Sequence, residues 1–121
     1  MTNAILAAST AIHLSAKERV TIIRTAREAL DAASPSLSRI PIIAGTGSGS
    51  TLETITLCRD AAEAGADATL VIAPSFFGAT ALKSDRSALK GFWTDVADQS
   101  PLPVMVYNFP AVVSGSEEAN R

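Results

Sequence analysis

The chain has 121 residues, of which 47% are hydrophobic and 18% are charged, and its formal net charge is −2. This balance predicts a folded domain with a hydrophobic core, and the absence of any run of like charges argues against nucleic-acid and membrane-surface partners. A single cysteine, Cys58, and a single histidine, His13, exclude an internal disulfide and a multi-cysteine metal site, so no bound metal is expected.

The only stretch that resembles a targeting signal is the mildly apolar segment 3–12. It is short, and no basic residue precedes it, whereas a secretory signal has a charged start and a longer apolar core. No apolar run approaches the ~20 residues that a membrane span needs. We therefore predict a cytoplasmic protein.

Segments with helical and strand-like patterns alternate along the chain. A capping-box sequence, Ser15 to Glu18, begins the first predicted helix, and Pro35 follows its end. A second one, Ser50 to Glu53, precedes the next helix, which Gly65 is placed to end. Short runs rich in Val and Ile, without polar alternation, predict buried parallel strands. The predicted helices are 16–33, 52–64 and 86–99, and the predicted strands are 40–44, 69–74 and 103–107.

The spacing of the strands indicates the fold class. Their ends near Ala44, Pro74 and Tyr107 lie about 30 residues apart, close to the roughly 31 residues of one βα unit in a (β/α)8 barrel. One period earlier, the segment 4–8 is the only candidate strand. The sequence therefore predicts an α/β fold with part of a TIM barrel, although a flavodoxin-like sheet has the same alternation and spacing alone does not distinguish the two.

The loop from Gly45 to Thr51 links a predicted strand to a predicted helix. Free N–H groups at a helix start can hold an anion, but no lysine precedes the Ser/Thr, and the glycine spacing does not fit a dinucleotide fingerprint. We favour a tight turn in which glycines supply unusual backbone angles.

Aromatic residues follow the next two predicted strands, at the end where barrels hold their active sites. Phe76 and Phe77 are candidates for lining a pocket or a subunit contact, with ordinary loop packing as the alternative. Tyr107 is a candidate for proton transfer through its hydroxyl, with a buried, hydrogen-bonded tyrosine as the alternative. His13 has no nearby ionisable partner in the sequence, and Cys58 falls in the middle of a helix, so both are assigned to packing or capping.

Four stretches, in order, resemble motifs of one family. They are His13-Leu14-Ser15, Ile40 to Thr51 (IPIIAGTGSGST), Glu63 to Asp67 (EAGAD) leading into Leu70 to Pro74 (LVIAP), and Leu102 to Pro110 (LPVMVYNFP). Together they resemble the second helix and the third, fourth and fifth strands of the dihydrodipicolinate synthase/N-acetylneuraminate lyase family. The likeness runs from about Ala11 to Gly115, whereas the ends, 1–10 and 116–121, are atypical.

The resemblance implies a class I lyase or aldolase that makes or breaks C–C bonds of pyruvate or a related 2-oxo acid. In that family a lysine on the sixth strand forms a Schiff base with the keto carbon, and no cofactor is needed. Tyr107 matches the tyrosine that relays protons, and homo-oligomers are expected. The same resemblance implies that residues 1–121 are a single incomplete TIM-barrel domain, covering about strands 3 to 5 with the preceding helix.

The chain also departs from the family pattern. Its three lysines, Lys17, Lys83 and Lys90, lie in or beside predicted helices, and the family lysine would follow Arg121. Ser9-Thr10 stand where the carboxylate-binding turn ends in Gly-Glu, and Phe76-Phe77 stand where tyrosines are common. Residues 111–115 lack the arginine of many synthases, which implies a smaller or less charged second substrate and leaves the substrate-binding residues unassigned.

These departures lead to two hypotheses and one more distant alternative. The first is an aldolase-family protein that is inactive as this isolated chain. The second is a non-catalytic truncated paralogue or subunit-interacting fragment. A flavodoxin-like binding module is the distant alternative, which the collinear motifs disfavour.

Overall fold

The computed structural model describes residues 4–9, 12–74 and 86–108. The predicted helices are confirmed, and the predicted strands are found with ends shifted by at most two residues. In chain order the elements are β1 (Ile5–Ala7), α1 (Ala16–Ala33), β2 (Ile42–Gly45), α2 (Thr51–Ala64), β3 (Ala68–Ile72), α3 (Arg86–Gln99) and β4 (Val104–Tyr107).

The four strands form one parallel sheet in the order β1-β2-β3-β4. Each connection therefore adds the next strand on the same side of the previous one. Because such connections are right-handed, the helices in them all cover the same face of the sheet. A flavodoxin-like sheet would instead reverse its winding direction and carry helices on both faces. The sheet order thus confirms a partial (β/α)8 barrel and argues against the doubly wound alternative.

The side chains that pack between sheet and helices confirm this one-sided cover. Ile23 of α1 packs with Ile42 and Ala44 of β2, and Cys58 of α2 packs on Val71 of β3. The pairing of Ala44 with Thr69 places residues 44, 69 and 71 on the same face of the sheet. The two core clusters therefore form one continuous layer under the helices. Their other buried members are Ala7, Ala61, Ala64 and Ala66 in the first cluster, and Ile55, Phe92 and Val96 in the second.

Strand β1 extends the predicted fold by one strand. The expectation covered about the third to fifth strands of the barrel, with the segment 4–8 only a candidate, and the structure shows residues 5–7 paired with β2. Three residues are too few to show a reliable periodicity in the sequence, so this strand is identified only by its pairing with β2. The described sheet therefore holds four strands.

The pairing of the strands is staggered. Ala7, the last residue of β1, pairs with Ala44, the third residue of β2. Ala44 pairs with Thr69, the second residue of β3, and Thr69 pairs with Val104, the first residue of β4. A register that shifts in the same direction from strand to strand tilts the strands relative to the barrel axis, as closure into a barrel requires.

Both helix starts predicted from capping boxes are found, but only the first box is complete. The Glu18 N–H donates to Ser15 Oγ (3.2 Å), and the Ser15 N–H donates to Glu18 Oε2 (2.7 Å). The second of these bonds lowers the pKa of the Glu18 carboxyl. At α2 the Glu53 N–H donates to Ser50 Oγ, but the Glu53 carboxylate accepts from Ser48 Oγ (3.1 Å) instead. The local sequence thus predicted where α2 starts, but it did not predict that the Glu53 carboxylate accepts from Ser48.

Arg27 ties α1 to the amino-terminal ends of β2 and β3. Its Nη2 donates to the carbonyl oxygens of Ser38 (2.9 Å) and Ile40 (3.3 Å), and its Nη1 lies 3.3 Å from Asp67 Oδ2. The same carboxylate oxygen accepts from the Ile42 N–H at 2.8 Å. One guanidinium on α1 therefore contacts acceptor groups from two other segments of the chain, residues 38–40 and Asp67.

Replacement of Arg27 by methionine is expected to destabilise the fold by about 1–3 kcal/mol, because two partly buried carbonyl groups and Asp67 lose their donor. Urea unfolding followed by circular dichroism measures the change in the free energy of unfolding. Arg24, which is exposed on the same helix, provides the matched control, and Arg24→Met should change that free energy by less than about 0.5 kcal/mol. Equal effects of the two substitutions would show that the Arg27 contacts do not stabilise the fold.

Candidate functional site

The carboxyl ends of the four strands meet at one edge of the sheet, where parallel barrels hold their active sites. The residues at or just after these ends are Ala8 and Ser9 for β1, Thr46 and Gly47 for β2, Ala73 and Pro74 for β3, and Tyr107 and Asn108 for β4. This edge is therefore the candidate functional site.

Tyr107 lies at this edge on the face of the sheet that the helices do not cover. It pairs with Ile72, and side chains alternate along a strand, so residues 72 and 107 face away from the layer that holds Val71. We call this the inner face, since it corresponds to the barrel interior. Tyr107 is half-buried there. Its position is the one that a proton relay at a barrel mouth requires, and the catalytic role itself stays a prediction.

Gly45 and Gly47 make room at this edge for the neighbouring chain segments. A Cβ atom on Gly45 would lie 2.3 Å from the Ala8 carbonyl oxygen, and one on Gly47 would lie 2.8 Å from Ile72 Cγ2. Among the glycines of the described ranges, Gly65 is the one with a positive φ, at 105°. The expectation that the loop glycines supply unusual backbone angles is therefore wrong, since none of them has a positive φ. Gly45 and Gly47 are needed instead because a side chain at either position would collide with its neighbours.

The loop between β2 and α2 uses its polar groups internally. The Ser48 N–H donates to Thr54 Oγ1 (3.2 Å), and the Thr46 N–H donates to the Leu70 carbonyl oxygen (3.1 Å). Ser48 also holds the Glu53 carboxylate through its hydroxyl. N–H groups that are already bonded, beside a carboxylate, make a poor anion site. A tight structural turn thus fits this loop better than an anion-binding loop.

A small cleft lies between the starts of α1 and α2. Its volume is about 220 Å³, and Ile12, Leu14 and Gly47 line it together with the oppositely charged side chains of Arg19 and Glu53. Arg19 Nη1 also donates to the Gly45 carbonyl oxygen at 3.1 Å, so α1 is tethered to the end of β2. The arginine therefore helps to hold the strand end in place.

Two other polar residues near the strand ends belong to the core. Thr46 and Cys58 are buried, and Thr46 Oγ1 lies 3.3 Å from Cys58 Sγ. The assignment of Cys58 to core packing is confirmed by its position in the cluster around Val71. His13 is exposed.

The structure does not place every predicted residue. Phe76 and Phe77, the candidates for a pocket or subunit contact, lie outside the described residues, and so does Lys83. Lys17 and Lys90 are exposed on α1 and α3. Within the described ranges, no group of three or more His, Cys, Asp or Glu side chains could hold a metal ion. No helix in these ranges is both long and apolar enough to cross a membrane.

Sequence reasoning missed two features of this edge. Ala8 has a left-handed backbone (φ 57°) directly after β1, although alanine gives no signal for such a conformation. Arg19 was assigned no role, because its partner is a backbone carbonyl 26 residues away. Only the folded arrangement reveals either feature.

The model of the dihydrodipicolinate synthetase family matches residues 1–117 of the chain. The chain is 45% identical over 105 residues to the probable mitochondrial 4-hydroxy-2-oxoglutarate aldolase of Emericella nidulans. The aligned region covers 87% of this chain and 32% of that protein. The chain is also 40% identical, again over 105 residues, to the L-threo-3-deoxy-hexylosonate aldolase of Hypocrea jecorina, with the same coverage.

A solved structure matches the fold as well as the sequence. The crystal structure of the chloride-inhibited dihydrodipicolinate synthase of Acinetobacter baumannii, complexed with pyruvate, superposes with a TM-score of 0.78 at 34% identity. The match covers 93% of this chain and 36% of that one. The chain thus spans about a third of the length of the proteins that it matches.

Proposed function

The chain belongs to the dihydrodipicolinate synthetase family, and from this we propose that it forms part of the barrel of a class I aldolase acting on pyruvate or a related 2-oxo acid. The observation that carries the proposal is Tyr107, which lies on the inner face at the carboxyl end of β4. The relatives reported above are named as aldolases, the first as a probable one, and the solved neighbour is complexed with pyruvate. These names support the reaction class and the 2-oxo acid part of the substrate.

The proposed role of Tyr107 is proton transfer. When an aldolase cleaves its substrate, the C–C bond breaks, the hydroxyl of the departing part loses its proton and becomes a carbonyl, and the bonding electrons pass to the imine formed with the 2-oxo acid. A group at the mouth of the barrel must accept that proton and return it to the carbon. The half-buried tyrosine hydroxyl is suited to this task because it both donates and accepts hydrogen bonds.

We propose further that residues 1–121 are one incomplete barrel domain, whose ends, 1–10 and 116–121, are the parts least like the family. The two core clusters support a single domain, since α2 contributes to both of them. Homo-oligomeric assembly and a cytoplasmic location remain predictions, and the Emericella nidulans relative is named as mitochondrial.

The chain by itself is expected to form no Schiff base with pyruvate. Imine formation needs an amine at the substrate carbon, whereas Lys17 and Lys90 are exposed on helices. The measurement is borohydride treatment with pyruvate, followed by intact mass spectrometry. The aldolase of Emericella nidulans is the positive control. A stoichiometric adduct on any lysine of this chain would contradict the expectation.

The second candidate function is a non-catalytic partner for other subunits. It is favoured by one observation, namely that Leu6 and Met105 on the inner face leave 58% and 46% of their surface exposed. Formation of a trapped adduct would exclude this alternative as well.

A further inference from the structure

The turn after β1 folds over the inner face of the sheet. Gly45 pairs with Leu70, which places it on the inner face together with Tyr107. A Cβ atom at Gly45 would therefore point into the barrel mouth, and the Ala8 carbonyl oxygen and Ser9 Cα lie 2.3 and 2.5 Å from that position. The backbone of Ala8 and Ser9 thus forms part of the wall of the mouth, at the same edge as Tyr107.

The strand that leads into this turn is short. It has three residues, and its first, Ile5, donates its N–H to the Pro41 carbonyl oxygen at 2.9 Å. The alternation of a parallel ladder then makes Ile43 and Gly45 the next acceptors along β2. Ala8 has a left-handed backbone (φ 57°) and ends the strand before it reaches the second of them. The Gly45 carbonyl belongs to a buried residue and therefore needs a donor from elsewhere.

Arg19 of α1 supplies that donor. Its Nη1 donates to the Gly45 carbonyl oxygen at 3.1 Å, and its side chain is half-buried. The N–H of the following residue, Thr46, donates to the Leu70 carbonyl oxygen at 3.1 Å. The peptide group between residues 45 and 46 is thus bonded to α1 through its oxygen and to β3 through its nitrogen, and these two bonds fix its orientation.

We propose that Arg19 is a positioning residue of the aldolase site: from outside the barrel it holds the peptide between residues 45 and 46, which supports the turn at Ala8 and Ser9. Since this role presupposes a substrate in the mouth, it rests on the proposed function. Tyr107 is held separately, because all four residues of β4 pair with β3. Loss of the Arg19 side chain should therefore weaken substrate binding and leave proton transfer largely intact.

The kinetic test uses a completed barrel, in which this chain replaces the 105 matched residues of the Emericella nidulans aldolase. Arg19→Met should raise KM for the cleaved substrate about 10-fold and leave kcat within about threefold, because a displaced wall weakens binding in ground state and transition state alike. Partial unfolding would instead lower the apparent kcat and leave KM unchanged. Arg19→Lys keeps a donor and should give a KM between those of the parent and Arg19→Met.

Arg24→Met provides the matched control. Arg24 lies on the same helix and is exposed, so this substitution removes the same charge and leaves the bond to Gly45 in place. Its KM should stay within about twofold of that of the parent barrel.

A second measurement, on the full chain, does not depend on catalysis. Amide hydrogen exchange followed by NMR should show the Thr46 N–H exchanging about 10-fold faster or more in Arg19→Met, since its peptide group loses one of two anchors. The rate in Arg24→Met should equal that of the parent chain.

The outcomes separate this role from the proposed function. A parent barrel that cleaves no substrate would contradict the proposed function itself. An active parent barrel whose KM changes by less than about twofold in Arg19→Met would show that Arg19 has no positioning role. Equal KM changes in the two methionine variants, or an unchanged exchange rate of the Thr46 N–H in Arg19→Met, would overturn the proposal as well.

Discussion

Replacing Tyr107 with phenylalanine is expected to lower kcat of a completed barrel by about 100-fold or more, the usual range for the loss of a general acid or base. The completed barrel is a chimaera, in which this chain replaces the 105 matched residues of the Emericella nidulans aldolase. The substitution removes the hydroxyl and keeps the ring, so the ring still lies beside Ile72, its partner on the neighbouring strand. Initial rates of substrate cleavage measure the effect, with kcat and KM determined separately.

A neighbouring residue on the same strand provides the control for this experiment. Val106 is 60% exposed and lies on the opposite face of β4, so Val106→Thr should leave kcat within about twofold of the chimaera. Borohydride trapping should still succeed in Tyr107→Phe, since the lysine that forms the imine is untouched. An unchanged kcat would assign Tyr107 to packing, and loss of trapping in both variants would point to a misfolded chimaera.

Gly45→Ala should destabilise the chain by about 3 kcal/mol, at the upper end of the usual cost of overpacking. The added Cβ would lie 2.3 Å from the Ala8 carbonyl oxygen and 2.5 Å from Ser9 Cα. Both contacts are backbone atoms, so relief requires β1 and its following turn to move away from β2. Urea unfolding of the variant measures the loss in the free energy of unfolding.

Two nearby glycines calibrate that effect. A Cβ on Gly49 meets no heavy atom within 4 Å, and Gly49→Ala is therefore expected to be neutral or to stabilise by about 0.5 kcal/mol through a less flexible unfolded chain. Gly47→Ala should fall between the two, because its added Cβ would lie 2.8 Å from Ile72 Cγ2 and 3.0 Å from the Ile72 backbone nitrogen, which are longer contacts than those at Gly45. Equal stabilities of the Gly45 and Gly49 variants would show that β1 does not pack against β2 as described.

The sequence alone determined those features that depend on neighbouring residues. The bounds of α1 were predicted correctly because the box formed by Ser15 and Glu18 starts it and Pro35 follows its end. Gly65 was correctly assigned as the stop of α2, since a left-handed residue at that position favours glycine. The family and the α/β class also followed from the sequence, because four motifs occur in order along it.

Only the tertiary structure decided features that join distant segments. The spacing of strands and helices is the same in a barrel and in a doubly wound sheet, and the strand order β1-β2-β3-β4 was needed to distinguish them. The glycines of the β2–α2 loop looked like residues chosen for their backbone angles, yet Gly45 is required by a segment 37 residues away. Likewise the inner-face position of Tyr107 follows from its pairing with Ile72. Local patterns report only the preferences of adjacent residues, whereas close approaches between strands exist only after the chain has folded.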